Sequence, residues 1–204
     1  NGPWVPWYTT NYTKYIEKWR LVYNVFQQEG ATNVAFIWAP NWSPTNYNNW
    51  YPGDDYVDWV GVDFYSVHHH NYWPYPIDDT DPRDKLRGVY NDYSSRKPIA
   101  IAEWAAAHQC NVTGGLHDTG DYAIDHMNRL YNNLESEFSR VKFVNWFDMN
   151  ALALAQKNYC ITDNATVLNN YKSAISDSWY LSAVEHSGKI GSKVSISTNA
   201  SSLA

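Results

Sequence analysis

Cysteine is scarce. Only Cys110 and Cys160 occur in 204 residues, so the chain cannot build a multi-disulfide scaffold or a thiolate-rich metal centre. Positive charge is also thin, with 15 Lys and Arg against 21 Asp and Glu for a net charge of -6. No basic run is present, which argues against nucleic acid or an anionic membrane as the main partner. No stretch approaches the roughly 18 consecutive apolar residues of a membrane span, and the sequence does not open on a basic region followed by an apolar run. Neither G-x-G-x-x-G nor G-x-x-x-x-G-K-[ST] follows an apolar run, so folds that cradle nucleotide phosphates lose their main support. G-x-S-x-G and H-E-x-x-H are missing as well, which leaves serine esterases and zinc peptidases without a foothold. Neither a cofactor nor a metal is expected.

What the chain has in excess is aromatic side chains, 17% of residues, with 11 Trp and 17 Tyr. Aromatic faces pack against the C–H faces of sugar rings while their polar edges stay wet, so the bias suggests a glycan-facing surface. A tyrosine-rich, heavily packed core is the other explanation. Asn-x-Ser/Thr sequons stand at Asn11, Asn41, Asn111, Asn164 and Asn199, with Pro44 directly after the second disfavouring its use. Their density points to a secreted, extracellular glycoprotein of eukaryotic origin, and in that setting Cys110 and Cys160 are expected to form one disulfide.

Apolar periodicity organises residues 1–181 as alternating helices and strands. Tyr12 to Glu29 sets Tyr15, Ile16, Trp19, Val22, Tyr23 and Phe26 on one helical stripe, and Gly30 follows as a stop. Asn33 to Pro40 reads as a buried strand, Asp58 to Tyr65 as a second and Lys97 to Glu103 as a third. A helix starts at Asp81-Pro82, where Asp can cap and Pro fits the first turn. Thr119 to Phe138 is expected to form another helix, Val141 to Asp148 a fourth strand, and about Ala165 to Tyr180 the last helix. Residues 182–204 are Ser/Gly/Lys-rich and read as a linker. Within them the alternating Lys193–Thr198 could instead add to an edge of another copy, a route to self-assembly.

Strands buried on both faces and separated by helices indicate a parallel sheet. With the nucleotide motifs missing, the pattern favours a (β/α)8 TIM barrel of which about the second half is present. Trp38, Tyr65, Glu103 and Trp146 each close a strand, at the end where barrel enzymes place their chemistry. Glu103 ends an apolar run, Ile-Ala-Ile-Ala-Glu-Trp. A carboxylate there is costly unless it is paired or used, so a structural ion pair and catalysis both explain it. Trp104 beside it and the other strand-end aromatics favour a sugar site.

These segments together resemble glycoside hydrolase family 26, the retaining barrel enzymes that include β-mannanases and some β-glucanases. The match runs from Asn1 to about Trp179. Asn1-Gly2-Pro3-Trp4-Val5-Pro6-Trp7 is similar to the end of the family's His-Glu-x-Asn-Gly motif and the tryptophans after it; Asp58 to Tyr65 is similar to its sixth strand, and Pro98 to Glu103 to the strand bearing its nucleophile. Trp146-Phe147-Asp148 is similar to its eighth-strand aromatic platform. The resemblance implies that Glu103 is the nucleophile and that Tyr65 orients it. It implies a substrate site lined by Trp4, Trp38, Asn41 and Trp146, with an acid/base glutamate just upstream of Asn1; Trp7 and Trp104 are read as further substrate-binding residues. The expected activity is retaining hydrolysis of a β-1,4-linked polysaccharide, β-mannan first and β-glucan next, and only once the missing N-terminal half of the barrel is supplied. A non-catalytic glycoprotein that keeps the fold to bind glycan or to assemble at a cell surface is the alternative. His68-His69-His70 is read as a solvated loop, because consecutive residues converge poorly on one ion. The Asp54-Asp55 and Asp78-Asp79 pairs are read as loop charges.

Overall fold

A computed structural model describes residues 5–6, 8–43, 45–70 and 77–181. Four parallel strands form the main sheet in the order β1 (Ile37–Trp38), β2 (Trp59–Ser66), β3 (Ile99–Ala106) and β6 (Val141–Trp146). The first expected strand, Asn33 to Pro40, shrinks to two ladder residues. Before it the chain is held by other means, since the Phe36 N–H donates to Asp58 Oδ2 and the Phe36 carbonyl accepts from the backbone N–H groups of Asp58 and Trp59.

α1 (Tyr12–Gln28) precedes the sheet; α2 (Pro82–Tyr93), α3 (Gly120–Tyr131) and the short α4 (Leu134–Glu137) run between its strands, with α6 (Ala165–Ala174) after the last. Their ends follow local chemistry. Asn11 caps α1 by accepting from Lys14 N, Asp81 caps α2 by accepting from Arg83 N ahead of Pro82, and Asn164 caps α6 by accepting from Thr166 N and Val167 N. Two sequon asparagines, Asn11 and Asn164, therefore serve as helix caps, while Asn41 and Asn111 are exposed. The single helix expected over Thr119 to Phe138 is interrupted at Asn132-Asn133, residues with low helix propensity whose side chains compete for backbone partners. Asn133 does so, donating to the Arg129 carbonyl. The last helix stops at Ala174 rather than Tyr180 because the Ser176 hydroxyl bonds back to the Ser173 carbonyl.

The core lies between the sheet and α2, α3, α4 and α6. Val60, Val62 and Phe64 of β2 and Ile99, Ile101 and Trp104 of β3 are fully buried against Leu86, Val89, Met127, Leu130 and Leu134. α1 is bound more loosely: Trp19 donates its indole N–H to the Tyr56 carbonyl and Tyr23 and Phe26 pack on Phe36, yet Val22, expected inward, is 50% exposed.

A second, antiparallel sheet was not legible as strands. It consists of β4 (Gln109–Val112), β5 (Gly115–Asp118), β7 (Asn150–Ala151) and β8 (Lys157–Asn158) in the order β5-β4-β8-β7, with the single-turn α5 (Leu152–Ala155) inside the excursion from β7 to β8. The expected disulfide is corrected here, since both cysteines are free thiols. Cys110 points into a small cluster with Val67, Ala105, Ala107, Ala151 and Tyr159 and faces Lys157 across the ladder, whereas Cys160 turns to the Thr162 hydroxyl. The expected (β/α)8 barrel is observed as a four-stranded parallel α/β sheet with β1 and β6 at its edges. Residues 182–204, with Asn199 and the expected self-associating tail, lie outside the described residues.

Candidate active site

The face of the main sheet turned away from the helices carries Asp63 and Tyr65 from β2 and Glu103 from β3. Strict strand alternation would not put Glu103 there. Ile101 points into the core, so Ala102 should face away and Glu103 should face in. The ladder resolves this with a bulge: Val62 pairs with Ile101 and Asp63 with Glu103, leaving Ala102 without a partner. The extra residue reverses the phase, so that Trp104 enters the core opposite Phe64 and Glu103 joins Asp63 on the open face. Asn145 of β6 donates to the carbonyl of the bulged Ala102 at 3.3 Å.

Tyr65 donates its hydroxyl to Glu103 Oε2 at 2.5 Å. Burial, and then the bond to Glu103, push the Tyr65 phenol well above its ordinary range, so it stays a donor at any working pH. Asp63 is raised to about 7, first by burial and then by the charge of Glu103. Its Oδ1 is buried without a hydrogen-bond partner among the described residues. Two acidic side chains on neighbouring strands thus differ in surroundings: Glu103 accepts from a phenol, whereas one oxygen of Asp63 is buried.

Aromatic rings close around Tyr65. Phe147, just past β6, packs edge-on at 5.5 Å between centroids, and Tyr159, just past β8, lies at 5.3 Å. The antiparallel sheet delivers Tyr159, whose N–H is held by the Met149 carbonyl. Neither ring was singled out from the sequence. Phe147 sat within the Trp-Phe-Asp motif, and the signal for Tyr159 lay in a segment with no strand periodicity.

Two of the expected sugar-facing tryptophans are corrected. Trp38 is 2% exposed, wedged against Tyr51 and Tyr93, and Trp104 is 0% exposed, packed against Phe64, Tyr131 and Trp146. Both are core residues with no surface to offer a sugar. Trp146 is half-buried; its indole N–H donates to the Tyr159 carbonyl and its ring meets Trp104 and Tyr171 of α6. Asn41 is exposed on the loop after β1 and bridges to Asp63. Trp4 and Trp7 lie outside the described residues.

The histidine loop is not simply solvated, because His69 is 1% exposed and stacks on His68 and His117. Among the described residues no group of three or more His, Cys, Asp or Glu is placed to hold a metal ion. Asp78 is more than a loop charge. Burial would raise it, but hydrogen bonds from His70, Lys85 and Thr80 hold it well below the usual carboxylate range. Asp54 likewise binds Tyr51 and Arg96.

Comparison with known proteins adds to this geometry. The family model described as Glycosyl hydrolase family 26 matches residues 1–78, which include all of β2 with Asp63 and Tyr65. Endoglucanase H of Acetivibrio thermocellus is 28% identical over 187 residues, 86% of this chain. Over residues 1–78 the chain is thus similar to glycosyl hydrolase family 26. Mannan endo-1,4-beta-mannosidase A and B of Caldalkalibacillus mannanilyticus is 29% identical over 50% of the chain. The chain spans 19% of the length of each of these two relatives. In fold it is similar to a Cellulomonas fimi endo-beta-1,4-mannanase double mutant, with a TM-score of 0.61 at 18% identity, covering 88% of this chain and 39% of that one. These named relatives come from bacteria, so they lend no support to the eukaryotic origin read from the sequons. Among the described residues no helix is long and apolar enough to cross a membrane.

Proposed function

We propose that this protein acts as a retaining hydrolase of β-1,4-linked glycan, with Glu103 as nucleophile and Tyr65 as the residue that orients it. The observation that carries the reading is the 2.5 Å hydrogen bond from Tyr65 to Glu103 in the C-terminal halves of adjacent parallel strands, towards the end where barrel enzymes hold their reacting groups. In the first step a Glu103 oxygen attacks the anomeric carbon, and the leaving oxygen takes a proton from an acid/base carboxyl about 5–5.5 Å away. In the second, that carboxyl removes a proton from water, which releases the sugar from the glycosyl ester. The acid/base group is proposed to be a glutamate preceding Asn1, as the family resemblance implies. Phe147 and the open part of Trp146 would hold the sugar ring. β-Mannan is the first candidate substrate and β-glucan the second, because relatives named as a mannan endo-1,4-beta-mannosidase and an endoglucanase both match the chain.

A direct test treats the full-length protein with activated 2-fluoro-mannoside and 2-fluoro-glucoside reagents and maps the labelled peptide by mass spectrometry. The expected result is one sugar esterified to Glu103. A label on a different carboxylate, or hydrolysis of β-mannan or β-glucan by a protein that never labels Glu103, would overturn the reading.

A further inference from the structure

Tyr65 can orient Glu103 only if its own backbone is fixed, and although β2 stays paired with β3 as far as Ser66 and Ala106, the ladder on its β1 side runs out where Tyr65 sits. On the β1 side of β2, the Asp63 N–H donates to the Pro40 carbonyl and the Asp63 carbonyl accepts from Trp42 N. Residues two apart along a parallel strand address the same neighbour. The next groups facing that way therefore belong to Tyr65, and no strand remains there to meet them, since β1 ended at Trp38. The Tyr65 carbonyl is met instead by a side chain: Lys85 Nζ donates to it at 2.8 Å.

Lys85 is an unusual residue for that place. It stands in the first turns of α2 and is only 3% exposed, whereas lysine is almost never fully buried unless it is paired. Its partner is Asp78, at 2.8 Å, and its ammonium lies 5.5 Å from the centre of the Trp42 ring. Asp78 is fixed in turn by Thr80 N at 2.9 Å. The next residue, Ser66, is pinned from behind by buried His126 at 2.9 Å. A buried ion pair is a poor source of net stability, but it aims a donor well.

We infer that Lys85, held by Asp78, is a positioning residue that substitutes for the missing ladder donor at the Tyr65 carbonyl and so sets the hydroxyl of Tyr65 on Glu103. The inference rests on the proposed role of Glu103 and Tyr65. It is tested by a double-mutant cycle on the full-length protein with soluble β-mannan and β-glucan. Lys85→Met should lower kcat roughly 10- to 100-fold with KM changed less than about twofold, since the loss is one of orientation rather than of substrate contact. In a Tyr65→Phe background the same substitution should lower kcat by less than about threefold, because the hydroxyl it positions is gone. Asp78→Asn should show the same non-additivity at a smaller amplitude, and it carries the cycle if Lys85→Met fails to fold. A loss of equal size in both backgrounds, or an unchanged kcat, would overturn the inference. Glu103→Gln separates the two ideas: turnover by that variant at the unmodified rate removes the nucleophile assignment itself, whereas an inactive Glu103→Gln with additive Lys85 and Tyr65 effects removes only the role of Lys85.

Discussion

The two faces of the parallel sheet are made from the same strands and obey opposite rules. Towards the helices, Val60, Val62, Phe64, Ile99, Ile101 and Trp104 form an apolar layer with no exposure at all. Away from them, Asp63, Tyr65 and Glu103 place three ionisable groups within two neighbouring strands, with Phe143 and Asn145 of β6 exposed beside them. One face contributes stability through transfer of apolar surface from water. The other concentrates charge where folding alone would not. Adjacent residues of one strand, Glu103 and Trp104, should therefore fail in different ways when changed.

Replacing Glu103 by Gln should reduce glycan turnover by the full-length protein by orders of magnitude, because the amide cannot form a glycosyl ester, while the melting temperature stays nearly constant. Replacing Trp104 by Ala should do the reverse in kind, costing about 3–5 kcal/mol of stability through the cavity it leaves. Trp104→Phe should cost less, since the indole N–H it removes has no partner among the described residues. Parallel denaturation and activity measurements check the contrast. Equal loss of stability in the Gln and Ala variants would erase the distinction between the faces.

The sequence could be read where periodicity and burial agree. The main strands, α2 with its Asp81-Pro82 start and the placement of Tyr65 near the end of β2 follow from runs of apolar residues and their punctuation, whereas Glu103, read as closing its strand, is followed by three more residues of β3. What periodicity could not reveal was the bulge at Ala102, since one extra residue changes which of Glu103 and Trp104 faces the core without altering the composition. For the same reason a strand-end tryptophan looked like a sugar platform when it was a wall of the core, and Trp38 suffered the same misreading. The antiparallel sheet was hidden because β4 and β5 are short and polar; its one local cue was Gly114-Gly115, both with positive φ at the β4–β5 turn. Lys85 could not be found at all, because its meaning depends on a carbonyl twenty residues away in sequence.

A smaller effect is expected at Gly61, on the open face of β2. A Cβ there would lie 2.8 Å from the Ala39 Cβ and 3.2 Å from the Ala102 Cβ. Gly61 thus lets β1 and the bulged part of β3 approach β2 closely. Gly61→Ala should force the strands apart at a cost of about 1–3 kcal/mol and, by disturbing Ala102, should also lower kcat. An alanine variant as stable and active as the parent would show that the two faces are less tightly coupled through the bulge than this packing implies.

The smallest effect concerns Asp63 and depends on pH. Its carboxyl is raised from 3.8 to about 7 in the folded protein, by burial and then by Glu103. Between those values the folded state keeps a proton that the unfolded chain has released. The unfolded state binds fewer protons there, so the protein should lose stability as pH rises from about 4 to about 7 and level off above it. Because Asp63 is only partly buried, solvent screening reduces the contribution to on the order of 1 kcal/mol. Asp63→Asn, which removes the titrating proton, should flatten that part of the stability curve and be more stable than the parent at pH 8 but not at pH 4. Urea midpoints measured at both pH values decide the matter. A parent whose stability rises through this window to the extent that the Asn variant's does would mean that Asp63 ionises normally, and the open face would then carry one more charge than its geometry favours.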